Sequence, residues 1–350
     1  MDLFSDESDN EMYEIGVFDS EGIVDTENRR LYNRINYRSE FSDSEFTYRF
    51  RLNKTSVDEL LLKITPSLKV ISSRNNGISP LHQLLLTLRF YALGTMLLSV
   101  ADFIGVSKAS ASRIVHHVSR AIAGLYPQYV KTLSNTQNAF HEIAGFPRIL
   151  GAIDCTHVPI QSPDSNIGEE YRNRKGIFSM NVQGVCNADL LFMNVVARWP
   201  GSAHDATILY NSRLKMQCEE GLFGNRWLIG DSAYPCTSYL LTPLLNPTSV
   251  AENHYNEAHI KTRNTIERCF GVWKRRFPIL SLKIRVAMQT TQAIIIATSV
   301  LHNICRLNNI RDVDPEVAMP QESGDITYAE GIGQQNHSVR QQLINNYFSV

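Results

Sequence analysis

The sequence of 350 residues lacks the cysteine spacing of a disulfide-stabilised or zinc-bound protein. Its six cysteines are scattered along the chain, and no two of them form a Cys-x-x-Cys pair. Cys155 and His157 flank a single residue, as two metal ligands can, but a zinc site would need two further ligands nearby, and strand residues are the simpler interpretation. The pattern predicts reduced thiols in an intracellular protein.

A secretory leader and a long uncharged apolar run are also missing. The N-terminus opens with Met-Asp-Leu-Phe-Ser-Asp-Glu rather than with basic residues and an apolar segment, so we expect no secretory signal. The most apolar long stretch, Leu81 to Val100, contains His82, Gln83 and Arg89. These polar residues predict a buried helix, at Leu81 to Leu98, rather than a membrane span.

Charge is distributed unevenly, although the net charge is only −1. Residues 1–28 hold ten acids and no Lys or Arg, and residues 311–330 hold six acids against one base. The segment between them, residues 29–310, holds 32 bases and 19 acids, a balance of +13. A basic body between acidic ends suits a polyanionic partner such as DNA, although ordinary solvated charges would give the same count.

Composition and periodicity divide the chain into four parts. Residues 1–45 are acidic and aperiodic, which predicts disorder, and residues 311–350 are again acidic and irregular, with room for a short terminal helix. Residues 46–140 carry apolar residues at spacings of three and four, which predicts helices. Residues 141–310 carry strand patterns and form the remaining domain.

A helix-turn-helix is predicted within the helical part. Val100–Ile104 forms a short helix, Gly105 supplies a turn, and Ser107 caps a second helix that runs from Lys108 to about Ile122. A polar and basic second helix can enter the major groove of DNA. Helical bundles use the same arrangement for packing, so both interpretations stay open. The candidate DNA-binding residues are Lys108, Ser110, Arg113, His117 and Arg120.

The element order after residue 141 is that of an RNase H-like domain. The predicted elements are a strand at 148–160, a hairpin of strands at 179–187 and 190–199, a helix at 202–218, a strand at 226–232, and helices at 262–277 and 291–307. We therefore predict an α/β fold, in which an RNase H-like mixed sheet flanked by helices follows an all-α helix-turn-helix region.

Three acidic residues stand where a metal-dependent nuclease of this fold would need them. Asp154 and Asp231 each close a short apolar run, and Glu267 lies on the helix after them. Two carboxylates at strand ends and one on a helix can converge on two divalent cations, which activate a water and stabilise the leaving oxygen of a phosphodiester. The alternatives are strand-end capping by solvated aspartates and helical ion pairs of Glu267 with Arg263 or Lys274.

Two further acids compete for a place in this cluster. Asp205 is well placed to cap the helix that follows it, and it could also supply a fourth carboxylate to the metals. Glu252 lies before the helix of Glu267 and is a weaker alternative to it.

Basic residues near the predicted strands are candidates for phosphate contact. The run Tyr-Arg-Asn-Arg-Lys-Gly at 171–176 supplies Arg172, Arg174 and Lys175, and Arg263 and Lys274 lie on the last helix of the nuclease core. A solvated loop is the alternative for the run. His157, His204 and His302 are interpreted as ordinary core or surface histidines.

Seven ordered motifs resemble those of the PIF/Harbinger transposases and of the Harbinger transposase-derived nucleases domesticated from them. They are Gly-Ala-Ile-Asp-Cys-Thr-His-Val (151–158), Tyr-Arg-Asn-Arg-Lys-Gly (171–176), Trp-Pro-Gly-Ser-Ala-His-Asp (199–205), Leu-Ile-Gly-Asp-Ser-Ala-Tyr-Pro (228–235), Tyr-Asn-Glu-Ala-His (255–259), Ile-Glu-Arg-Cys-Phe-Gly-Val-Trp-Lys-Arg-Arg-Phe (266–277) and Leu-His-Asn-Ile (301–304). The resemblance spans about residues 80–305 and, more loosely, the C-terminal Arg340-Gln-Gln-Leu. The length and this tail look more like the domesticated nuclease than a mobile element's transposase.

This resemblance implies a DDE endonuclease that uses Mg²⁺ or Mn²⁺ and has an N-terminal helical DNA-binding part. Residue by residue, the triad of the family falls on Asp154, Asp231 and Glu267. The family further implies DNA and a Myb/SANT-type protein as partners, and a location in nucleus and cytoplasm. The alternative function is a non-catalytic DNA- or protein-binding factor that retains the fold, against which the intact carboxylates weigh.

Overall fold

The computed structural model describes residues 35–68, 77–131, 139–163, 167–314 and 337–349. The disorder predicted for residues 1–34 and the irregular structure predicted for residues 315–336 lie outside this part of the chain. For residues 35–45 the prediction of disorder is wrong. Helices α1 (Tyr37–Glu40) and α2 (Asp43–Phe50) form there because aromatic side chains of this segment, Tyr37 among them, are buried in the core.

The N-terminal part is helical, as predicted. Its further helices are α3 (Lys54–Ile64), α4 (Pro80–Leu93), α5 (Leu97–Ile104), α6 (Lys108–Ala123), α7 (Tyr126–Tyr129) and α8 (Ala139–Ala144). The single helix predicted for Leu81 to Leu98 is wrong, because Gly94 ends α4 with a left-handed φ of 62°. A Cβ at Gly94 would lie 2.7 Å from the Leu282 side chain, so glycine is required there for close packing as well as for the turn.

Helices α5 and α6 are arranged as the sequence predicts for a helix-turn-helix. Gly105 ends α5 with a φ of 73°, and the Ser107 side chain caps α6 by accepting a hydrogen bond from the Ser110 amide. Helix α6 packs against α4 and α5 and also against the later helix α12 (Met288–Leu307). The helical part is thereby joined directly to the domain that follows it.

Five strands form one mixed sheet with the order β3-β2-β1-β4-β5. They are β1 (Ile149–Pro159), β2 (Ser179–Cys186), β3 (Phe192–Pro200), β4 (Trp227–Ile229) and β5 (Leu240–Leu241). The first three pair antiparallel, and β4 and β5 run parallel to β1. The sheet confirms the predicted hairpin and the strand before Asp231, whereas β5, with two residues, is too short for a detectable pattern.

Helices cover both faces of this sheet. They are α9 (Asp205–Tyr210), α10 (Arg213–Glu219), α11 (Val250–Arg276) and α12, and a further helix, α13 (His337–Tyr347), packs against α11. The helix predicted at 202–218 is in fact two, because Asn211 ends α9 and Ser212 caps α10. Helix α11 begins well before the predicted residue 262, because Ser249 and Glu252 form a capping box at its start.

Helix α11 packs closely against the sheet. Ile266, Phe270, Trp273 and Phe277 are buried, as the predicted stripe requires. A Cβ at Gly184 of β2 would lie 2.8 Å from the Phe270 ring, so this glycine allows α11 to lie close to the strand. The fold is therefore α/β, an RNase H-like mixed sheet flanked by helices and preceded by a helical region. No helix within the described ranges is long and apolar enough to cross a membrane.

Candidate active site

Asp154 and Asp231 lie side by side because β1 and β4 are parallel neighbours. Ala152 of β1 pairs with Ile229 of β4, and each aspartate follows its paired residue by two positions. The strand predicted at 148–160 is confirmed, and the expectation of a strand-end position for Asp154 is wrong, because β1 continues to Pro159 through its antiparallel pairing with β2. Asp154 instead lies where β4 ends, and its side chain is only 15% exposed.

Glu267 reaches the same region from α11 through an arginine one turn before it. Arg263 donates from Nη1 to Asp154 Oδ2 at 3.0 Å and from Nη2 to Glu267 Oε1 at 2.6 Å. The Arg263 side chain is 19% exposed and that of Glu267 is 51% exposed. One guanidinium therefore links the strand carboxylate to the helix carboxylate, and the helical ion pair considered for Glu267 is present as well.

Asp205 is the fourth acidic residue of this region. The interpretation as a helix N-cap is wrong: His204 occupies that position without a side-chain hydrogen bond, and Asp205 is the first residue of α9. Its Oδ1 instead accepts a hydrogen bond from Asn181 Nδ2 at 3.0 Å, from the neighbouring strand β2. This bond holds the carboxylate of Asp205 at the sheet.

Burial and neighbouring negative charge raise the pKa of two of these aspartates, Asp154 and Asp231. Burial, followed by the charge of Asp231, raises the pKa of Asp154 to about 8, although the Arg263 guanidinium acts in the opposite direction. Burial and the charge of Asp205 likewise raise the pKa of Asp231. The cluster has more negative charge than its one arginine balances, which is the electrostatic environment that a bound cation relieves.

The donor chemistry fits a hard divalent cation, which takes oxygen ligands. As the side chains stand, no group of three or more His, Cys, Asp or Glu residues in the described part of the chain lies close enough together to hold a metal ion. Arg263 lies between two of the carboxylates, Asp154 and Glu267. Glu252 is not an alternative ligand in this arrangement, because it bonds Thr248 and Ser249 at the start of α11.

Two residues of this region were not identified from the sequence. Asn181 holds Asp205, and the hydroxyl of buried Tyr234 lies 3.4 Å from the Cys155 sulfur. Burial raises the pKa of both Cys155 and Tyr234 well above the usual range. Tyr234 follows Asp231 by three positions in the motif of residues 228–235, and this position is the sequence feature that points to a place near the acidic cluster.

Two of the basic side chains in the run at 171–176 contact other residues of the protein. Arg172 forms an ion pair with Glu169 at 2.8 Å and lies over the Phe178 ring, so its guanidinium is engaged within the protein. Arg174 Nη2 lies 3.1 Å from Nδ1 of His204, which precedes Asp205. Lys175 is exposed at the tip of the turn. The run thus borders the start of α9, beside the acidic cluster.

The remaining candidate DNA contacts lie on helices. Lys274 donates from Nζ to the His157 carbonyl at 2.9 Å, which fixes the end of α11 to β1. On α6, Lys108, Arg113 and Arg120 are exposed, whereas Ser110 and His117 are partly buried. Arg113 also lies 3.4 Å from the Ser110 hydroxyl.

The histidines singled out in the sequence have protein partners. His157 Nδ1 lies 3.0 Å from the Ser179 hydroxyl, and His302 Nε2 lies 2.7 Å from the Leu190 carbonyl oxygen. Burial lowers the pKa of His302 to about 4. Their interpretation as ordinary histidines agrees with these contacts.

Comparison with known proteins identifies the same region. The family model described as DDE superfamily endonuclease matches residues 153–303. The protein named "Putative nuclease HARBI1" from Rattus norvegicus is 34% identical over 295 residues, which cover 81% of this chain and 84% of that protein. The protein of the same name from Xenopus laevis is 29% identical over 303 residues, 84% of this chain and 87% of the relative.

A plant protein is also similar along most of its length. The Arabidopsis thaliana protein named Antagonist of Like Heterochromatin Protein 1 is 26% identical over 292 residues, covering 75% of this chain and 74% of that protein. No solved structure matches the chain.

Proposed function

The chain belongs to the family of Harbinger transposase-derived nucleases, and we propose that it is a DNA endonuclease that hydrolyses phosphodiester bonds with two divalent cations. Asp154, Asp231 and Glu267 are its catalytic residues in this proposal, and Asp205 is a fourth carboxylate beside them. One observation carries the proposal: Arg263 binds the carboxylates of Asp154 and Glu267 together, next to two further aspartates.

The acidic side chains are the proposed ligands of Mg²⁺ or Mn²⁺. When bound, the cations would supply an activated water and stabilise the charge that develops on the leaving oxygen. Asp154 is held by β1 and Asp231 by the end of β4, both parts of one hydrogen-bonded sheet. Asn181 orients Asp205, and α11 carries Glu267. Rigid elements of this kind keep catalytic groups in place without help from the substrate.

DNA is the proposed substrate and two basic surfaces are the proposed contacts. The first is the exposed side of α6 with Lys108, Arg113 and Arg120, and the second is the run at 171–176 beside His204. Arg263 belongs to the acidic cluster in addition to any contact with phosphate. A Myb/SANT-type partner protein and a location in nucleus and cytoplasm are also part of the proposal, and they rest on the family alone.

Cleavage of labelled duplex DNA by the purified chain tests the proposal. We expect cleavage with Mg²⁺ or Mn²⁺, none with EDTA, and a reduction in rate of at least about a hundredfold for Glu267→Gln, since interactions made in the transition state are worth several kcal/mol. Glu257→Gln is the matched control, because Glu257 is an exposed glutamate of the same helix. Equal cleavage by both variants would remove Glu267 from the triad.

A non-catalytic factor that keeps the fold is the second candidate. The name of the Arabidopsis relative describes an antagonist of another protein rather than a nuclease. The same assay separates the two functions, because a factor of this kind would bind DNA or protein but leave the duplex intact with every divalent cation tried.

A further inference from the structure

A basic cleft lies at the end of the sheet opposite the acidic cluster. It has a volume of about 490 Å³ and is lined by residues of α8, by the segment before β1 and by the loop before β4. Its charged or titratable lining residues are His141, Arg148 and Arg226. A second cleft of about 440 Å³ shares Arg148 and Arg226 and extends to Tyr239 beside β5. Clefts of this size accommodate small ligands or ligand groups.

The two arginines of the cleft are held by aromatic and backbone groups. The Arg148 guanidinium lies over the Trp227 ring at 4.4 Å, and Arg226 donates from Nε to the Phe223 carbonyl at 3.0 Å. Within the described residues, neither guanidinium forms an ion pair with a carboxylate, and no Asp or Glu lines either cleft. Two like charges held at one cavity repel each other, and an anion between them would relieve that repulsion.

Backbone strain is found at the same position. Arg148 adopts a φ of 54°, a left-handed conformation that residues other than glycine adopt at a cost in free energy. Its own carbonyl accepts a hydrogen bond from the Trp227 amide, which fixes this conformation between β1 and β4. Strained residues of this kind are concentrated at ligand sites, where contacts with the surrounding structure hold the strained conformation in place. Gly224, at the rim, also has a positive φ, and the space beside it is open.

We propose that this cleft binds a phosphate group of the DNA backbone, away from the bond that is cut. The inference rests on the proposed function and adds a substrate contact to it. Guanidinium groups bind phosphate oxygens through paired hydrogen bonds, and the cleft offers two of them with His141 beside them. Arg148 precedes Asp154 by six residues along β1, which is roughly 20 Å of extended strand. That length matches about six base-pair steps of duplex.

Binding of a fluorescent duplex, measured by anisotropy in EDTA over a salt series, tests the contact without any cleavage. The variants are Arg148→Asn, because asparagine tolerates a left-handed φ, and Arg226→Gln. We expect each variant to bind the duplex several-fold more weakly. The plot of the logarithm of the binding constant against the logarithm of the salt concentration should also become less steep by about 0.9, the value expected when one phosphate is no longer neutralised. Arg148→Lys keeps the charge and should keep the slope.

The control is Arg213→Gln, which removes the same charge from an exposed arginine that lines neither cleft. The proposal is overturned if both cleft variants have the same affinity and the same salt slope as Arg213→Gln. If Arg148→Asn does not fold, as judged by its thermal melt, Arg226→Gln and Arg148→Lys carry the test.

Two further measurements distinguish a DNA contact from the binding of a small phosphate, and the cleft from the acidic cluster. If pyrophosphate stabilises the wild type but not Arg226→Gln against thermal unfolding, while DNA affinity is unchanged, the cleft holds a small phosphate and the DNA contact is overturned. Cleavage by the wild type is measured separately with Mn²⁺. Absence of cleavage in the wild type with normal DNA binding would count against the acidic cluster and not against the cleft.

Discussion

Arg263 is the residue that joins the elements of the candidate active site. It donates to Asp154 of β1 and to Glu267 of its own helix, so two segments far apart in sequence meet at one guanidinium. The i,i+4 pair with Glu267 can be read from helix geometry alone. The bond to Asp154 cannot, because residues 109 positions apart are brought together only by the packing of α11 against β1.

Replacement of Arg263 should destabilise the metal-free protein. Arg263→Gln leaves the largely buried carboxylate of Asp154 without its cationic partner, and we expect the free energy of unfolding to fall by about 1–3 kcal/mol. Most of this decrease belongs to Asp154, since the exposed pair with Glu267 contributes little. Urea unfolding in EDTA above about pH 8, where Asp154 is ionised, measures it. Arg268→Gln, at an exposed position of α11, is the control, and an equal effect of both variants would contradict the role of Arg263.

Asp154 should also make stability depend on pH. Its pKa in the folded protein is about 8, above the value of about 3.9 in an unfolded chain. The folded state therefore retains a proton that the unfolded state has released, and the stability contributed by this group falls as pH rises from about 4 to about 8. In EDTA, Asp154→Asn should gain stability relative to wild type across that range. A difference between the two proteins that stays constant from about pH 5 to about pH 8 would contradict the raised pKa.

Among the helices and strands, those with a long sequence pattern could be predicted and those with a short one could not. The buried stripe of α11 and the alternation along β1 to β3 extend over enough residues to be recognised. Strand β5 has two residues and no period, and the break between α4 and α5 depends on one glycine whose contact, Leu282, lies on a distant segment. The start of α11 was missed because the Pro- and Asn-containing residues before it resemble a loop, although Ser249 and Glu252 form a capping box there.

Helix α6 is the element whose DNA binding is open to direct test. Its exposed bases include Arg113 and Arg120, and its apolar side is packed against α4, α5 and α12. Replacing these two arginines by alanine should weaken DNA binding and reduce the salt dependence by about 0.9 for each phosphate that is no longer neutralised. The packing of α6 should be unaffected, because both side chains are exposed. Lys131→Ala, an exposed base beyond α7, is the control. If the affinity of the double variant for DNA is unchanged across the salt series, α6 serves only for packing.

At the scale of the whole molecule, the strongly charged parts are separated. The acidic cluster lies where β4 ends, and the basic cleft lies where β1 and β4 begin. Buried Arg276 joins the helical part to the nuclease core by donating to the Arg51 carbonyl at 3.3 Å and to Asp312 at 2.9 Å. We expect these contacts to make the two parts unfold together, so that a bound cation shifts the unfolding of the entire protein.

Thermal unfolding with and without Mn²⁺ is the direct test of whether the carboxylates around Asp154 bind divalent cations. A ligand that binds only the folded state stabilises it by mass action. We expect Mn²⁺ to raise the unfolding temperature of the wild type, and we expect this rise to be reduced or absent in Asp154→Asn. The variant should also be at least as stable as the wild type in EDTA, because one repelling charge has been removed. Equal stabilisation of both proteins by Mn²⁺ would show that Asp154 is not a ligand of the cation.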